Sequence, residues 1–428
     1  MALTAPPGFR RSEAETARPS GRDSRLRVLL ISHTCQSRTE GHPRAEELAR
    51  LPDVDLKVLV PDRWMHYGAW RDVEPADGAF DLHVGRVALP WAGPAQFYLH
   101  WYPELAQVLR SFRPDVIDLW EEPWGLVSAQ TCWLRNRLLP DAKIISETEQ
   151  NIDKRLPPPF EQFRSYTLRN ADFAVARSRE AAEVLRAKGY RGPAAVVPNG
   201  VDMSLFRPLP RAECRARLVA EGAWPAAWGR DDFVVGYVGR FVEEKGLDDL
   251  IDALEFCPPA TRVLLVGSGP YQAALEARVR ERGCGDRVHF AGSRSREDLA
   301  SAMNALDVLA LPSRTTPSWK EQFGRVIIEA HSCGIPVVGS DSGAIPDVIG
   351  EGGLVARECD PRSFGDALTR MYRGGEGWRT AVGRVGRIEA ERNCSWARVG
   401  AQMGSVYRHV TGATYDFGPA LAGGVAIK

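Results

Sequence analysis

The chain lacks any run of eighteen apolar residues, so it offers no membrane-spanning helix. It lacks a C-x-x-C pair as well. Its cysteines, Cys35, Cys132, Cys214, Cys257, Cys284, Cys333, Cys359 and Cys394, stand singly. In a chain of 428 residues that spacing reads as reduced thiols in a cytoplasm, not as a disulfide framework or a zinc knuckle. Net charge is absent too, with 55 Lys+Arg against 55 Asp+Glu, which removes bulk electrostatics as a route to nucleic acid. The first 25 residues have no apolar centre and are not expected to be a signal peptide. Residues 1–24 also lack apolar periodicity and read as a disordered tail. Six arginines through Arg27 against three acids leave contact with an anionic membrane open, although a solvated tail is the simpler reading.

What is present is alternation. Apolar strand candidates at 27–31, 56–60, 80–84, 116–119, 144–146, 173–176 and 194–197 are separated by helical patterns such as 103–112 and 179–188. A short helix at 211–219 and the stretch AEGAWPAAWGRDD then interrupt the pattern. A second series follows, with strands at 233–238, 263–266, 288–290 and 308–311 and helices between them. Residues 361–410 are helical in pattern, and the tail after Gly412 looks weakly structured. The alternation predicts α/β architecture with two doubly wound parallel sheets in tandem. Sheets of this kind bind ligands at the carboxyl ends of their strands, and facing domains place the site in the cleft between them.

The most informative stretch is LPSRTTPSWKEQFGRVIIEAHSCGIPVVGSDSGAIPDVIG, residues 311–350. Glu321 precedes Gly324 and an apolar helix that carries Glu329. Free N–H groups and the positive dipole end at a helix mouth suit a phosphate. The two carboxylates are roughly 12 Å apart if both lie at helical rise, a scale that fits a nucleotide sugar. Spacing alone favours two solvated glutamates on a surface helix. Elsewhere, Gly239 ends a strand and Arg240 and Lys245 follow it. A guanidinium and an ammonium can bracket a diphosphate where glycine lets it approach, although two exposed cations before a helix fit equally well. Gly267 and Gly269 form a strand-to-helix turn that suits a base or ribose, or an ordinary tight turn.

Taken in order, VPNGVD at 197–202, GR-x4-KG at 239–246, VGSGP at 266–270, LPS at 311–313, EQFG-x4-EA at 321–330, GIPVV at 334–338 and SGAIPDVI at 342–349 resemble the retaining glycosyltransferases of family 4. The resemblance covers about residues 165–400. It implies a GT-B fold of two facing Rossmann-like domains, here 25–207 for the acceptor and 208–390 for the nucleotide sugar. Residues 391–428 would supply a helix packing back on the first domain, plus a tail. It implies that Arg240 and Lys245 bind the donor diphosphate and neutralise the leaving group. Glu329 would hold the ribose, and Glu321 the hydroxyls of the transferred sugar. The N–H groups of Gln322, Phe323 and Gly324 would meet sugar and phosphate oxygens. Fixed cations and a helix mouth stabilise charge where it develops, so no metal or other cofactor is expected. The one D-x-D, Asp53-Val54-Asp55, precedes a strand and reads as a turn. Retention in the family implies front-face attack, with a donor phosphate oxygen assisting deprotonation of the acceptor and no protein nucleophile.

The first half departs from the family pattern. The loop after the first strand has one glycine, Gly41, where a pair is usual, and Gly41 is the candidate for admitting the donor. The fourth strand runs into Trp120-Glu121-Glu122, without the histidine many relatives carry there. Glu121 or Glu122 could face the cleft, or cap a helix. Seven of the twelve tryptophans fall between Trp64 and Trp133. An acceptor platform around Trp64, Trp70, Trp91 and Trp120 competes with core packing. The run from Glu147 to Asn151 is another acceptor wall. The reading is a cytoplasmic retaining transferase moving a hexose from a UDP- or GDP-sugar to a glycan or glycolipid hydroxyl in polysaccharide or glycoconjugate biosynthesis. Peripheral contact with the inner face of the plasma membrane is left open. A nucleotide-sugar epimerase of the same fold and a non-catalytic nucleotide-sugar-binding subunit are the rivals.

Overall fold

The computed structural model describes residues 25–412 except 67, 68, 89–92, 94 and 230. The expected disordered tail at 1–24, the segment after Gly412 and Trp91 lie outside the described residues.

Nine strands precede residue 200. They are β1 (Leu26–Ile31), β2 (Val54–Pro61), β3 (Arg63–His66), β4 (Ala69–Asp72), β5 (Asp81–Gly85), β6 (Val116–Leu119), β7 (Lys143–Thr148), β8 (Phe173–Ala176) and β9 (Ala194–Val196). Six follow: β10 (Phe233–Val238), β11 (Thr261–Val266), β12 (Val288–Gly292), β13 (Val308–Leu311), β14 (Val337–Ser340) and β15 (Gly353–Ala356). The first sheet runs 5-2-1-6-7-8-9 and the second 12-11-10-13-14-15. Every pairing within these two sheets is parallel. β3 and β4 form a separate antiparallel ribbon that the sequence pattern did not announce.

The continuous apolar strands explain the parallel arrangement. Val28, Leu29, Leu30 and Ile31 are all fully buried, because helices cover both faces. Leu29 and Ile31 pack with Leu105, Leu109 and Val127 on one face. Val28 and Leu30 pack on the other with Trp396, Val399, Met403 and Tyr407. These last four come from the helix Trp396–Val410, so the chain returns to complete the first domain's core. Gly400 and Gly404 permit that contact. A Cβ on either would stand 2.7 Å from Glu47 Cβ or Leu51 Cδ1. Asp53, expected in a turn, does sit just before β2, but Val54 and Asp55 are paired strand residues. The Asp53 carboxylate accepts from Arg408 Nε at 2.6 Å and Nη2 at 2.8 Å, which anchors the same helix.

Strand order reverses beside β1 in one sheet and beside β10 in the other, because each is flanked by strands whose connections run in opposite directions. Loops at the carboxyl ends of β1, β6, β10 and β13 therefore open onto crevices suited to ligands. Two polar contacts join the halves there. Asn151 Nδ2 donates to the Glu321 carbonyl at 2.8 Å, and Lys320 Nζ pairs with Glu180 at 2.8 Å.

The second domain also contains a titratable core residue. His331, 1% exposed, contacts the Gly352 carbonyl through Nε2 at 3.2 Å. A Cβ at Gly352 or Gly386 would come within 2.6 Å of the ring. Burial lowers the His331 pKa to about 4, with the Gly352 carbonyl opposing. Between pH 6.5 and about 4 the unfolded chain therefore binds the proton and the folded chain does not. Stability should fall by about 3 kcal/mol as pH drops through that window. Urea unfolding at several pH values checks this, and His331→Asn should flatten the dependence.

Candidate active site

The second domain's side of the crevice starts where β10 ends. Gly239 N–H donates to the Val266 carbonyl at 3.0 Å, and Phe241 N–H to the Ser268 carbonyl at 2.9 Å. The two loops are in backbone contact. A Cβ on Gly267 would lie 1.9 Å from the Gly239 carbonyl oxygen, and one on Gly269 would lie 2.3 Å from that of Phe241. Gly267 and Gly269 are thus glycines because another loop lies against them. Arg240 is exposed at the rim, with its carbonyl accepting from Tyr237 Oη at 2.8 Å.

Lys245 and Glu321 meet directly, Nζ to Oε2 at 2.6 Å. Ser313 Oγ, from the end of β13, donates to the same oxygen at 3.0 Å. The ammonium also lies 4.7 Å above the Trp319 ring. Glu321 is not helical. The helix begins at Arg325, after Gly324 in the left-handed region at φ 80°. It has no side-chain cap. The N–H groups of Gln322, Phe323 and Gly324 find no acceptor among the described residues. Free donors beside a fixed ammonium form a seat for an anion. Glu329, inside that helix, is half-buried, and its carboxylate makes no hydrogen bond or ion pair with the described residues. Burial raises its pKa, against the pull of Arg296 and Arg325.

Facing this helix mouth, the first domain contributes a cavity of about 290 Å³, with Gln322 closing it from the second domain. Phe97, Trp120 and Trp124 supply aromatic surface to it, and Glu122 and Gln150 polar surface. Glu122 accepts from Thr148 Oγ1 at 2.6 Å and from Glu149 N–H at 2.8 Å. Burial nevertheless pushes its pKa up to about 7. Glu121 is engaged differently. It accepts from His33 N–H at 2.6 Å and contacts His33 Nδ1 at 2.8 Å. Burial raises the Glu121 pKa, but His33 and His100 outweigh that and lower it overall. The His33 ring stacks on Trp64, with centroids 4.5 Å apart.

The structure brings Lys245, Glu321, Gln322, Phe323 and Gly324 together, and sets Glu121, Glu122 and Trp120 on the opposite wall. It gives two candidates structural roles as well. A Cβ at Gly41 would stand 2.5 Å from the backbone of Thr34 and Cys35, so the loop's own packing requires glycine there. Glu147, 1% exposed, spends its carboxylate on Arg44 and Arg177 in the floor of the cavity, and Glu149 and Gln150 are the residues of that run beside it that line the same space. Trp120 lies between those arginines, 4.4 Å and 5.3 Å from their guanidinium carbons. Trp64 is buried against His33, and Trp70 is exposed on β4, so the tryptophans do not form one platform. The sequence reading passed over His33 and His100. His33 was detectable in principle, because it stands two residues beyond a buried strand, where this fold presents ligand-binding groups.

Residues 223–381 match the family described as Glycosyl transferases group 1, and residues 45–205 match Glycosyltransferase Family 4. A D-inositol 3-phosphate glycosyltransferase of Mycobacteroides abscessus is 31% identical over 248 residues, 55% of this chain and 52% of that protein. A GDP-mannose-dependent alpha-(1-6)-phosphatidylinositol monomannoside mannosyltransferase of Mycolicibacterium smegmatis is 33% identical over 227 residues, 50% of this chain and 56% of that one. The match thus spans about half the length of these relatives. Among solved structures, Anabaena HepE in complex with UDP superposes with a TM-score of 0.68 at 18% identity, covering 90% of this chain and all of that one. At that identity the likeness is one of fold, the two-domain GT-B arrangement.

Proposed function

Because the chain belongs to glycosyltransferase family 4, we propose that it is a retaining hexosyltransferase that uses a UDP- or GDP-sugar and delivers the hexose to a hydroxyl of a glycan or glycolipid. The observation that carries this reading is the Lys245–Glu321–Ser313 cluster beside the unsatisfied N–H groups of Gln322, Phe323 and Gly324. A diphosphate seated there meets an ammonium and a helix mouth, and Arg240 stands at the rim of the same loop. As the anomeric C–O bond breaks, charge grows on the phosphate oxygens. Donors already in position stabilise that charge most in the transition state.

The other assignments follow the same geometry. Glu329, half-buried without a protein partner, is the group for ribose hydroxyls. Glu321, pinned by Lys245 and Ser313, faces the transferred sugar. The turn at Gly267 and Gly269 receives the nucleoside. The proposed domain division falls at about residue 207, with the return of the chain near 391. The names of two relatives, which refer to inositol 3-phosphate and to phosphatidylinositol monomannoside, support a glycolipid or related polyol acceptor. Among the described residues no helix is long and apolar enough to cross a membrane, so a lipid-linked acceptor would be met at the membrane surface.

The test is a donor screen. UDP or GDP should raise the melting temperature, and the matching nucleotide sugar should be hydrolysed slowly without an acceptor. No stabilisation by either nucleotide, together with no hydrolysis of any UDP- or GDP-hexose, would remove the reading.

A further inference from the structure

One side chain of the first domain reaches the backbone of the loop that forms the helix mouth. Asn151 follows β7 and is 2% exposed. Its Nδ2 donates to the Glu321 carbonyl at 2.8 Å and to Glu180 Oε2 at 3.0 Å. Two acceptors fix which end of the amide is the NH2 group, and both of its hydrogens are used. Glu180 lies in the first turn of the helix Arg179–Ala187. Its other oxygen accepts from Lys320 Nζ at 2.8 Å.

The carbonyl that Asn151 holds belongs to the same peptide unit as the Gln322 N–H. That peptide is trans, since the one cis bond among the described residues is Pro158–Pro159. In a planar trans peptide the C=O and N–H point in opposite directions. The Ala344 N–H grips the Glu321 carbonyl from a second side, at 3.0 Å. Gly343, at φ 56°, makes room for this: a Cβ there would stand 2.1 Å from the same oxygen. With its oxygen held twice, the peptide is fixed in rotation, and its N–H stays directed away from Asn151. A peptide whose carbonyl accepts two hydrogen bonds is also polarised into a stronger donor.

We propose that Asn151 is a positioning residue for glycosyl transfer: it orients the Glu321–Gln322 peptide so that the Gln322 N–H is presented to the donor phosphates. The inference rests on the glycosyl-transfer reading. It makes the anion seat a joint product of the two domains. The second domain supplies the N–H groups, and the first supplies the amide that aims one of them. The Glu321 carboxylate is held separately, by Lys245 and Ser313. Asn151 donates to the backbone and not to that carboxylate, so its effect passes through the peptide. Lys320 also links the domains, but its ammonium reaches Glu180 and not the peptide.

The experiment is calorimetric titration with whichever of UDP and GDP stabilises the wild type. Hydrolysis kinetics with the UDP- or GDP-hexose that the wild type cleaves run in parallel. The variants are Asn151→Ala, Asn151→Leu and Lys320→Ala. Leucine keeps the branched shape of asparagine and removes the donor. Neither Asn151 variant orphans an acceptor, because the Glu321 carbonyl keeps the Ala344 N–H and Glu180 keeps Lys320. Both should bind the nucleotide about 5- to 10-fold more weakly at unchanged stoichiometry. Their kcat should be roughly 10- to 10²-fold lower. The donor KM should rise less than kcat falls, because the N–H groups act most on the charge of the departing diphosphate. Lys320→Ala should stay within about twofold of the wild type in both measurements. Wild-type Kd and kcat in the Asn151 variants would overturn the proposal. A lower stoichiometry at unchanged Kd would reduce Asn151 to packing, and an equal loss in Lys320→Ala would trace the effect to domain attachment; either overturns it. A wild type that neither binds UDP or GDP nor hydrolyses such a donor would count instead against the glycosyl-transfer reading.

Discussion

Replacing Lys245 with alanine is expected to lower transfer by about 10²- to 10³-fold with little change in melting temperature. The expected loss corresponds to about 3–4 kcal/mol of transition-state stabilisation, the scale found when one preorganised donor is removed from a site of developing charge. Lys245 is suited to that role by its surroundings. Its Nζ is fixed by Glu321 at 2.6 Å and rests over Trp319, so little reorganisation is needed when a diphosphate arrives. Lysine to alanine leaves Glu321 with the Ser313 hydroxyl at 3.0 Å, and Glu321 itself lies in a loop. The structural penalty should therefore be small. Steady-state kinetics should show kcat falling at least as much as kcat/KM, because the interaction strengthens as the phosphate departs. Near-normal transfer by a folded Lys245→Ala protein would remove the ammonium from the mechanism.

The second large effect concerns folding. Glu147→Ala should destabilise the chain by about 3–5 kcal/mol, the usual cost of breaking a buried ion pair by removing one member. Arg44 donates to Asp118 Oδ2 at 2.8 Å and to both oxygens of Glu147, and Arg177 also reaches Glu147. Tyr407 Oη donates to Asp118 at 2.7 Å. All five side chains are almost fully buried. Burial raises the pKa of Glu147, but Arg177 and Arg44 outweigh it and hold the group well below the usual carboxylate range. Burial, with the nearby Glu147 charge, pushes Asp118 the other way. Without Glu147, Arg44 would keep only the reluctant Asp118 carboxylate, and Arg177 only that of Glu149, 3.8 Å from its Nε. Guanidinium chloride unfolding of Glu147→Ala measures the loss. If it stays below 1 kcal/mol, the network is not the structural element the geometry indicates. The cavity floor should deform with it, because Glu147 and Arg177 both border that space.

The fold was legible because parallel strands covered on both faces leave uninterrupted apolar runs, as in residues 28–31 and 233–238. The proposed donor half was legible because its chemistry is local. Gly239, Lys245 and Glu321 sit in short loops whose glycines mark backbone approach, and their order along the chain is a pattern in itself. The opposite wall was less legible because its contacts are distant in sequence. Nothing in SHTCQ identifies His33 as the partner of Glu121. Gly41 shows a related limit: a glycine required by a neighbouring backbone looks the same in sequence as one required by a ligand. Glu147 shows the converse, since only its approach to Arg44 and Arg177 reveals that its charge is already spent.

The return of the helix Trp396–Val410 to the first domain has a consequence for the order of assembly. Domains on a growing chain generally fold in the order in which they are synthesised. Here the first domain lacks Tyr407, Met403 and Trp396 until the whole second sheet has been made, and Asp118 lacks the phenol that donates to it. The sheet around β10 draws its core from residues 201–394 and can be complete while the earlier domain still has an open apolar face. The half translated first is therefore the half finished last, because the helix Trp396–Val410 must leave the ribosome before the wall around Trp120, Glu121 and Glu122 acquires its final shape.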